Sequence, residues 1–272
     1  MKALEVTNLK KVYPAFTLDS VSFCVEEGHI LGLIGANGAG KSTTLKGILG
    51  LIQAEGGATI FTHDAKSGKA KELIGYAGGG FRQYPLKSVG AIARVVSGFY
   101  ANWSDEKFKR YCNQFELLPD KKISQLSEGM KVKFSLALAL SHRAKLLVLD
   151  EPTSGLDPFA REEFLDILRS LVQEEGVSVL FSTHIVSDLE RAADDVVLLS
   201  HGRVMINEPL KTLKEKYSLA FFAEPQAGVV GLKAVKGGYE GLILRTEHFE
   251  GATLTEPTLE EIVIHLERRG EV

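Results

Sequence analysis

The stretch Gly35-Ala36-Asn37-Gly38-Ala39-Gly40-Lys41-Ser42-Thr43 constrains this chain more than any other, because of what flanks it. The apolar run Ile30 to Ile34 reads as a buried strand and Thr43 to Lys46 opens a helix, so the glycines fall at a strand-to-helix turn. In that setting G-x-x-x-x-G-K-[ST] is a cradle for phosphate. Gly35, Gly38 and Gly40 let the backbone turn tightly, successive N–H groups face the phosphates, and the helix N-terminus adds a positive field. Asn37, Gly38, Gly40, Lys41, Ser42 and Thr43 are therefore binding candidates. Lys41 is placed to reach the β and γ phosphates, and Ser42 to offer a hydroxyl to Mg²⁺.

With 272 residues, 44% hydrophobic and 25% charged, the chain can bury a large core as one main domain with an elaboration or a small second lobe. The formal charge of −3, with Lys and Arg interspersed among Asp and Glu, leaves no nucleic-acid footprint. Cys24 and Cys112 form neither a close metal pair nor a disulfide scaffold, which favours a reducing compartment. No stretch has the length of an uninterrupted membrane span, and Met1 to Tyr13 lacks the apolar core of a signal peptide. The expectation is a protein soluble by itself, with a membrane partner left open.

Ala3 to Leu9 and Thr17 to Val25 alternate like strands with one wet face. Between them, Tyr13 offers a flat ring on which a purine can stack, although from chemistry alone a packed or surface tyrosine is the plainer reading. Phe16, the other aromatic here, reads as core. Gly56 to Phe61 is another short strand, Ala65 to Glu72 a polar, Lys-rich solvated turn, and Leu73 to Ala77 a further strand. Gly78-Gly79-Gly80 then reads as a hinge, a ligand-side loop or a plain connector. Ser88 to Tyr111 is helical with a break at Ala101 to Ser104, a helical insertion available for protein contacts. Ser127 and Glu128 can cap the apolar helix that runs through Ser141; the same N-terminus, with Gly129, also offers donors to an anion, and the residues alone leave both readings open.

Ala144 to Glu151 is an apolar run ending in two carboxylates, the pattern of a buried parallel strand. Asp150 at its carboxyl edge suits Mg²⁺, held directly or through water, and Glu151 is placed to polarise a water; helix capping is the alternative. Asp157 is an N-cap candidate for the helix Phe159 to Glu175. His184 ends the strand Val177 to Thr183, where it can hydrogen-bond a terminal phosphate or serve as an ordinary structural histidine. Beyond Pro209, Leu219 to Phe222 and Gly241 to Arg245 are strand candidates and Thr258 to Arg269 an amphipathic helix. Nothing in this small appended α+β element suggests chemistry.

Taken in order, the Gly35 to Thr43 loop, Leu126-Ser127-Glu128-Gly129-Met130, the strand Leu146 to Glu151, Ser154-Gly155-Leu156-Asp157 and His184 resemble the ATP-binding subunit of ABC transporters across residues 1–208. The wording looks most like bacterial exporter ATPases paired with a separate permease. The resemblance implies an α/β fold: a P-loop NTPase core with an N-terminal antiparallel β subdomain, an inserted helical subdomain at about 86–143, and a small C-terminal α+β extension over 209–272. It implies ATP and Mg²⁺ as ligands, Tyr13 on adenine, Lys41, Glu151 and His184 as catalytic residues, and Ser42 and Asp150 at the metal. Ser127 and Gly129 would contact the γ-phosphate bound by the opposite subunit, with Asp157 across the interface. Two ATP molecules would close a head-to-tail homodimer, or a pair with a homologous ATPase subunit, held at the cytoplasmic face of the bacterial membrane by a permease subunit. Nucleic acid is not an expected partner.

One departure matters. Where Gly79 stands the family usually has Gln, sometimes Glu, so Gln83 becomes the candidate metal ligand if the loop folds back, with water as the substitute otherwise. Glu128 and Met130 also differ from the commoner Gly and Gln. The rival function is a soluble ABC-type ATPase acting in translation or DNA repair, disfavoured by the single ATPase unit, the unremarkable basic charge and the lack of a long coiled insertion. A transported substrate is not legible in this subunit, because its selective pocket would lie in the permease.

Overall fold

A computed structural model describes residues 1–78 and 84–269, with Arg269 by its backbone alone; Gly79 and the metal-ligand candidate Gln83 lie outside the described residues. The alternating segments β1 (Lys2–Tyr13) and β2 (Phe16–Glu26) pair antiparallel. β3 (Ile30–Ile34), buried at every position, leads through the glycine loop into α1 (Lys41–Ile48). β4 (Glu55–Ile60) and β5 (His63–Asp64) complete a sheet of order β2-β1-β4-β5. The Lys-rich stretch read as a solvated turn is instead helical over α2 (Gly68–Leu73). Ser67 caps it by accepting from the Ala70 N–H at 3.2 Å, and Ala70 is fully buried, so one apolar contact and one cap override the polar composition.

After β6 (Ile74–Ala77) comes the helical insertion, α3 (Val89–Ser97), α4 (Asp105–Gln114), a 3₁₀ turn at Ile123–Gln125 and α5 (Glu128–Ser141). The chain then alternates: β7 (Leu146–Asp150), α6 (Pro158–Glu175), β8 (Ser178–Thr183), α7 (Val186–Ala192), β9 (Asp195–Ser200) and β10 (Arg203–Pro209). These build the central six-stranded sheet of order β10-β9-β3-β8-β7-β6, parallel except for β10 at its edge. Helices cover both faces, which is why β3, β7 and β8 read as unbroken apolar runs. On one face α1 lies between the two sheets, with Leu45 and Ile48 packed among Val6, Leu9, Leu33 and Val148. Truncating Leu45 or Ile48 to Ala would cost roughly 2–5 kcal/mol. On the other face α5, α6 and α7 bury Phe134, Phe164 and Leu189.

The register of the parallel strands positions the site. Ile34 pairs with Thr183 and Asp150 with Ser182, so the carboxyl ends of β3, β7 and β8 deliver the glycine loop, Glu151 and His184 to one edge of the sheet.

The tail contains more than the two strands and one helix expected. After α8 (Leu210–Lys216), β11 (Tyr217–Phe222), β12 (Val230–Val235), β13 (Gly238–Leu244) and β14 (Thr253–Thr255) form an antiparallel sheet of order β12-β13-β11-β14, closed by α9 (Leu259–Arg269). It is not a separate ball: Leu219, Leu242, Leu259 and Ile262 belong to the same apolar core as Leu189 and Phe164. No helix among the described residues is long and apolar enough to cross a membrane.

Candidate active site

The loop after β3 is shaped by contacts that exclude side chains. A Cβ on Gly35 would stand 2.4 Å from the Leu199 carbonyl oxygen, and Gly40 has φ +111°, in the left-handed region. Gly40 is also the N-cap of α1, which receives no side-chain cap. The Thr44 N–H donates to the Gly40 carbonyl at 2.8 Å, leaving Lys41, Ser42 and Thr43 ahead of the helix's own hydrogen-bond ladder. Their N–H groups border an open cavity of about 550 Å³ lined by Asn37, Gly38, Gly40, Lys41, Ser42 and Thr43 on one side and Phe16, Glu151, Ser154 and His184 on the other. This is the charge and donor pattern that an anionic polyphosphate needs.

Lys41 is buried at its ammonium end. Nζ donates to the Gly35 carbonyl at 2.7 Å and lies 3.2 Å from Glu151 Oε1. Glu151 Oε2 in turn meets His184 Nδ1 at 2.7 Å, so a single carboxylate spans the loop lysine and the strand-end histidine. Its backbone sits at φ +51°, and its N–H is fixed by the Ser182 carbonyl at 3.1 Å and Ser182 Oγ at 3.2 Å. Left-handed backbone at a non-glycine residue costs on the order of 1–3 kcal/mol and persists where neighbours over-determine it, as β8 does here.

Ser42 Oγ donates to Asp150 Oδ1 at 3.1 Å, and Ser182 Oγ donates to the same oxygen at 2.7 Å. A hydroxyl beside a carboxylate is an all-oxygen donor set. Among the described residues no group of three or more His, Cys, Asp or Glu could hold a metal by itself. The pair thus fits Mg²⁺, which binds through one or two protein oxygens and takes its other ligands from water and phosphate. Burial, and after it the nearby Asp150 carboxylate, raises the pKa of the Tyr76 phenol on β6.

The β1–β2 turn extends one expectation. Phe16 is half-buried: it packs against the core and also lines the cavity, because its ring leans over Gly40. Tyr13 stands directly opposite Phe16 across the hairpin, so the two rings share a face. Tyr13 itself is 38% exposed, outside the cavity lining, with Lys11 Nζ 5.4 Å from its ring centroid. Pairing across a two-residue turn was the available sign for Phe16. For Ser182, whose hydroxyl donates to the Asp150 carboxylate and accepts from the Glu151 backbone N–H, and for Glu267 of α9, which with Asn37, Phe16 and His201 lines an adjoining cavity, the sequence offered none.

Lys41, Ser42, Asp150, Glu151 and His184 are therefore brought together, whereas Ser127, Gly129 and Asp157 stand apart. Ser127 is exposed and accepts from the Met130 N–H at 3.2 Å, capping α5. Asp157 accepts from the Phe159 and Ala160 N–H groups, both at 3.0 Å, capping α6. The two helix starts adjoin, since a Cβ on Gly129 would sit an ordinary 3.5 Å from Ala160 Cβ. None of these three residues lines the Lys41 cavity.

Residues 18–154 match the ABC transporter family. The chain is 36% identical over 220 residues to the probable multidrug ABC transporter ATP-binding protein YbhF of Escherichia coli (strain K12), an alignment covering 78% of this chain and 38% of that protein. It is 32% identical to the bacitracin transport ATP-binding protein BcrA of Bacillus licheniformis, covering 78% of this chain and 72% of the relative. The share of each relative's length that this chain spans thus varies widely, and for YbhF it is well under half. Among solved structures, an ATP-binding subunit of an ABC transporter superposes with a TM-score of 0.66 at 30% identity, over 78% of this chain and 92% of that one. The loop, the paired carboxylates, the strand-end histidine and these likenesses agree: the chain belongs to the ATP-binding subunits of the ABC transporter family.

Proposed function

We propose that this protein binds ATP on the Lys41 loop and hydrolyses it to ADP and phosphate, driving export through a separate membrane permease. The observation that carries the reading is the Glu151 carboxylate held between Lys41 Nζ and His184 Nδ1 at the sheet edge. Phosphate oxygens are better partners for the Lys41 ammonium than the Gly35 carbonyl. An incoming triphosphate would therefore draw Lys41 away from Glu151 and leave that carboxylate free to accept a proton from an attacking water. His184 keeps Glu151 oriented and offers a donor toward the terminal phosphate. Asn37, Gly38, Gly40 and Thr43 supply the phosphate cradle, and Tyr13 beside Phe16 the surface for adenine. Ser42 and Asp150 would hold Mg²⁺, which when bound neutralises charge on the phosphates.

In this reading residues 1–208 are the ATP-binding unit and 209–272 an extension. Two copies, or one copy and a homologous ATPase subunit, close head to tail so that Ser127 and Gly129 of each meet the γ-phosphate of the other, near Asp157. That arrangement accounts for an exposed Ser127 at the α5 start that takes no part in the Lys41 cavity of its own chain. Export is supported by the relatives' printed roles in multidrug and bacitracin transport. Leu86, Val95 and Phe99 are exposed on the helical insertion and suit contact with a permease, which would hold the protein at the cytoplasmic face of the membrane.

The test is phosphate release by the purified full-length chain with ATP and Mg²⁺, with Lys41→Ala as the inactive control. Hydrolysis unaffected by that change would overturn the site. Recovery of the chain from its native membranes should bring down an integral permease; recovery with ribosomes or DNA instead would replace export by the soluble alternative.

A further inference from the structure

Beside the site, two buried polar side chains and a partly buried arginine, from three segments, come together, and none has a role above. Asp188 lies in the first turn of α7, just after His184, and is 2% exposed. Thr153, fully buried, sits on the turn between Glu151 and Asp157. Arg161, on α6, brings Nε to 3.8 Å from Asp188 Oδ1. Yet Thr153 Oγ1, Asp188 Oδ2 and Arg161 Nε, all buried, make no hydrogen bond of ordinary geometry, so that Thr153 and Asp188 meet only in a poorly aligned contact. Burial pushes the Asp188 carboxyl pKa up, and a hydrogen bond from the Thr153 hydroxyl and the charges of Arg161, His184 and Arg191 pull it back.

A device for stability would not look like this. Buried polar atoms left unpaired are destabilising, and a buried ion pair is often neutral or worse against an apolar replacement. Nor is Asp188 needed to tie α7 to α6, since Arg191 on α7 already pairs with Glu162 on α6 at the surface. What the cluster does join is the turn carrying Glu151 and Asp157 to the helix that follows His184. Both segments must be in register for Glu151 and His184 to meet.

We propose that Asp188 is a positioning residue for ATP hydrolysis: through Thr153 and Arg161 it sets the Glu151 turn against the His184 helix, and nucleotide binding turns these loose contacts into well-aligned hydrogen bonds. The inference rests on the hydrolytic reading above and adds to it a residue that touches neither nucleotide nor metal. Thr153 is the sensor side of the pair, because it lies on the same turn as the carboxylate that Lys41 releases. Arg161 stands at the start of α6, next to the Asp157 cap, so a shift at Asp188 is also felt at the outer end of that turn.

The experiment compares Asp188→Asn, Thr153→Val and wild type as purified full-length chains, measuring kcat, KM, ATP affinity and melting temperature. Asp188→Asn should lower kcat between about tenfold and a hundredfold, the scale on which misplacement of reacting groups acts, with ATP affinity held within about twofold. Its melting temperature is recorded alongside, since removing one partner leaves Arg161 uncompensated and lowers stability on its own, and kcat is compared at temperatures where both chains are fully folded. Thr153→Val, nearly the same volume, should lower the same parameter. Combined with His184→Ala, Asp188→Asn should add little further loss, because both act through one geometry. A kcat unchanged in both single variants, or a loss that tracks the melting temperature and disappears on cooling, would overturn the positioning role. Should Asp188→Asn fail to fold, Thr153→Val decides. Absence of hydrolysis in wild type would instead overturn the ATPase reading, so the two failures are distinguishable.

Discussion

The starts of α1 and α5 are both helix N-termini with glycine nearby, and they differ in every respect that matters for a ligand. At α1 no side chain caps the helix, Lys41 is buried, and the chain's own Glu151 and His184 close the cavity opposite. At α5 Ser127 caps the first turn and stays exposed, and Lys131 pairs with Glu128 at 2.8 Å. Glycine is compulsory at Gly40, where φ is +111°, but nothing within the chain requires it at Gly129. One helix start is thus built to hold an anion inside its own subunit. The other is capped by its own side chain, and no contact within the chain calls for its glycine; under the proposed head-to-tail pairing, that glycine would let a partner's phosphate approach.

The largest effect is expected at the first of these. Glu151→Gln removes the proton acceptor while keeping a side chain able to bond His184, so hydrolysis should slow by ~10²-fold or more, the range of general-base effects. ATP binding should persist or tighten, because Lys41 loses a competing carboxylate partner. Single-turnover hydrolysis beside equilibrium ATP binding checks it, and near-wild-type turnover would mean that Glu151 only anchors Lys41 and His184.

Next comes the second helix start. Ser127→Arg should leave the folded monomer intact, since the side chain is exposed, while opposing ATP-driven association by at least about tenfold if a partner's phosphate must approach within hydrogen-bonding distance. Gly129→Ala should act in the same direction more weakly, with no loss of thermal stability, because the added methyl meets only ordinary contacts in its own chain. Sedimentation in a Glu151→Gln background, with and without ATP and Mg²⁺, reads both. Identical ATP-dependent association in wild type and Ser127→Arg would dissolve the contrast between the two termini.

The contrast also explains what could be read from residues alone. The α1 site was legible because close approach, positive φ and charge fall within nine consecutive residues, and because β7 and β8 are buried on both faces. Ser182 was not, since its work depends on the Asp150–Ser182 register between strands distant in sequence. Phe16 reads only as core, and the cavity-lining side of its ring is hidden, because an aromatic after a turn carries no mark of which face it takes; its pairing with Tyr13 decides that. In the tail, β12 reads Val-Gly-Leu-Lys-Ala-Val, without clean alternation, and is half-buried along its length, so the pattern that revealed β1 and β2 is missing.

A smaller effect is expected on the hairpin over the α1 site. Tyr13→Ala and Phe16→Ala should each weaken ATP by a factor of about 2–10, the scale of an aromatic contact worth about 0.5–1.5 kcal/mol. Tripolyphosphate competition should be unchanged, since the phosphate donors lie on the loop and not on the hairpin. Equal weakening of both ligands would assign the two rings to packing of the loop, a role Phe16 is close enough to Gly40 to play.

The smallest effect separates the fold of α5 from the role of its first turn. His142 ends this helix, is almost fully buried, and stacks on Tyr100 with ring centroids 3.8 Å apart and planes 7° from parallel. Burial lowers its pKa below the ordinary value of 6.5. Between the lowered folded value and 6.5 the unfolded chain therefore binds more protons than the folded one. This contribution to stability is complete above pH 6.5 and is lost as pH falls through the folded pKa, by at most about 1.4 kcal/mol per pH unit. Denaturant unfolding at pH 7.5 and 5.5 should show wild type more acid-sensitive than His142→Phe, which keeps a ring against Tyr100 but has no proton to gain. If ATP-driven association of the Glu151→Gln chain weakens at pH 5.5 and recovers in the His142→Phe background, the first turn of α5 acts only while the whole helix is firmly held. If association is indifferent to His142, the first turn of α5, from Ser127 to Met130, is sufficient in itself, and the difference between the two helix starts resides in their first turns alone.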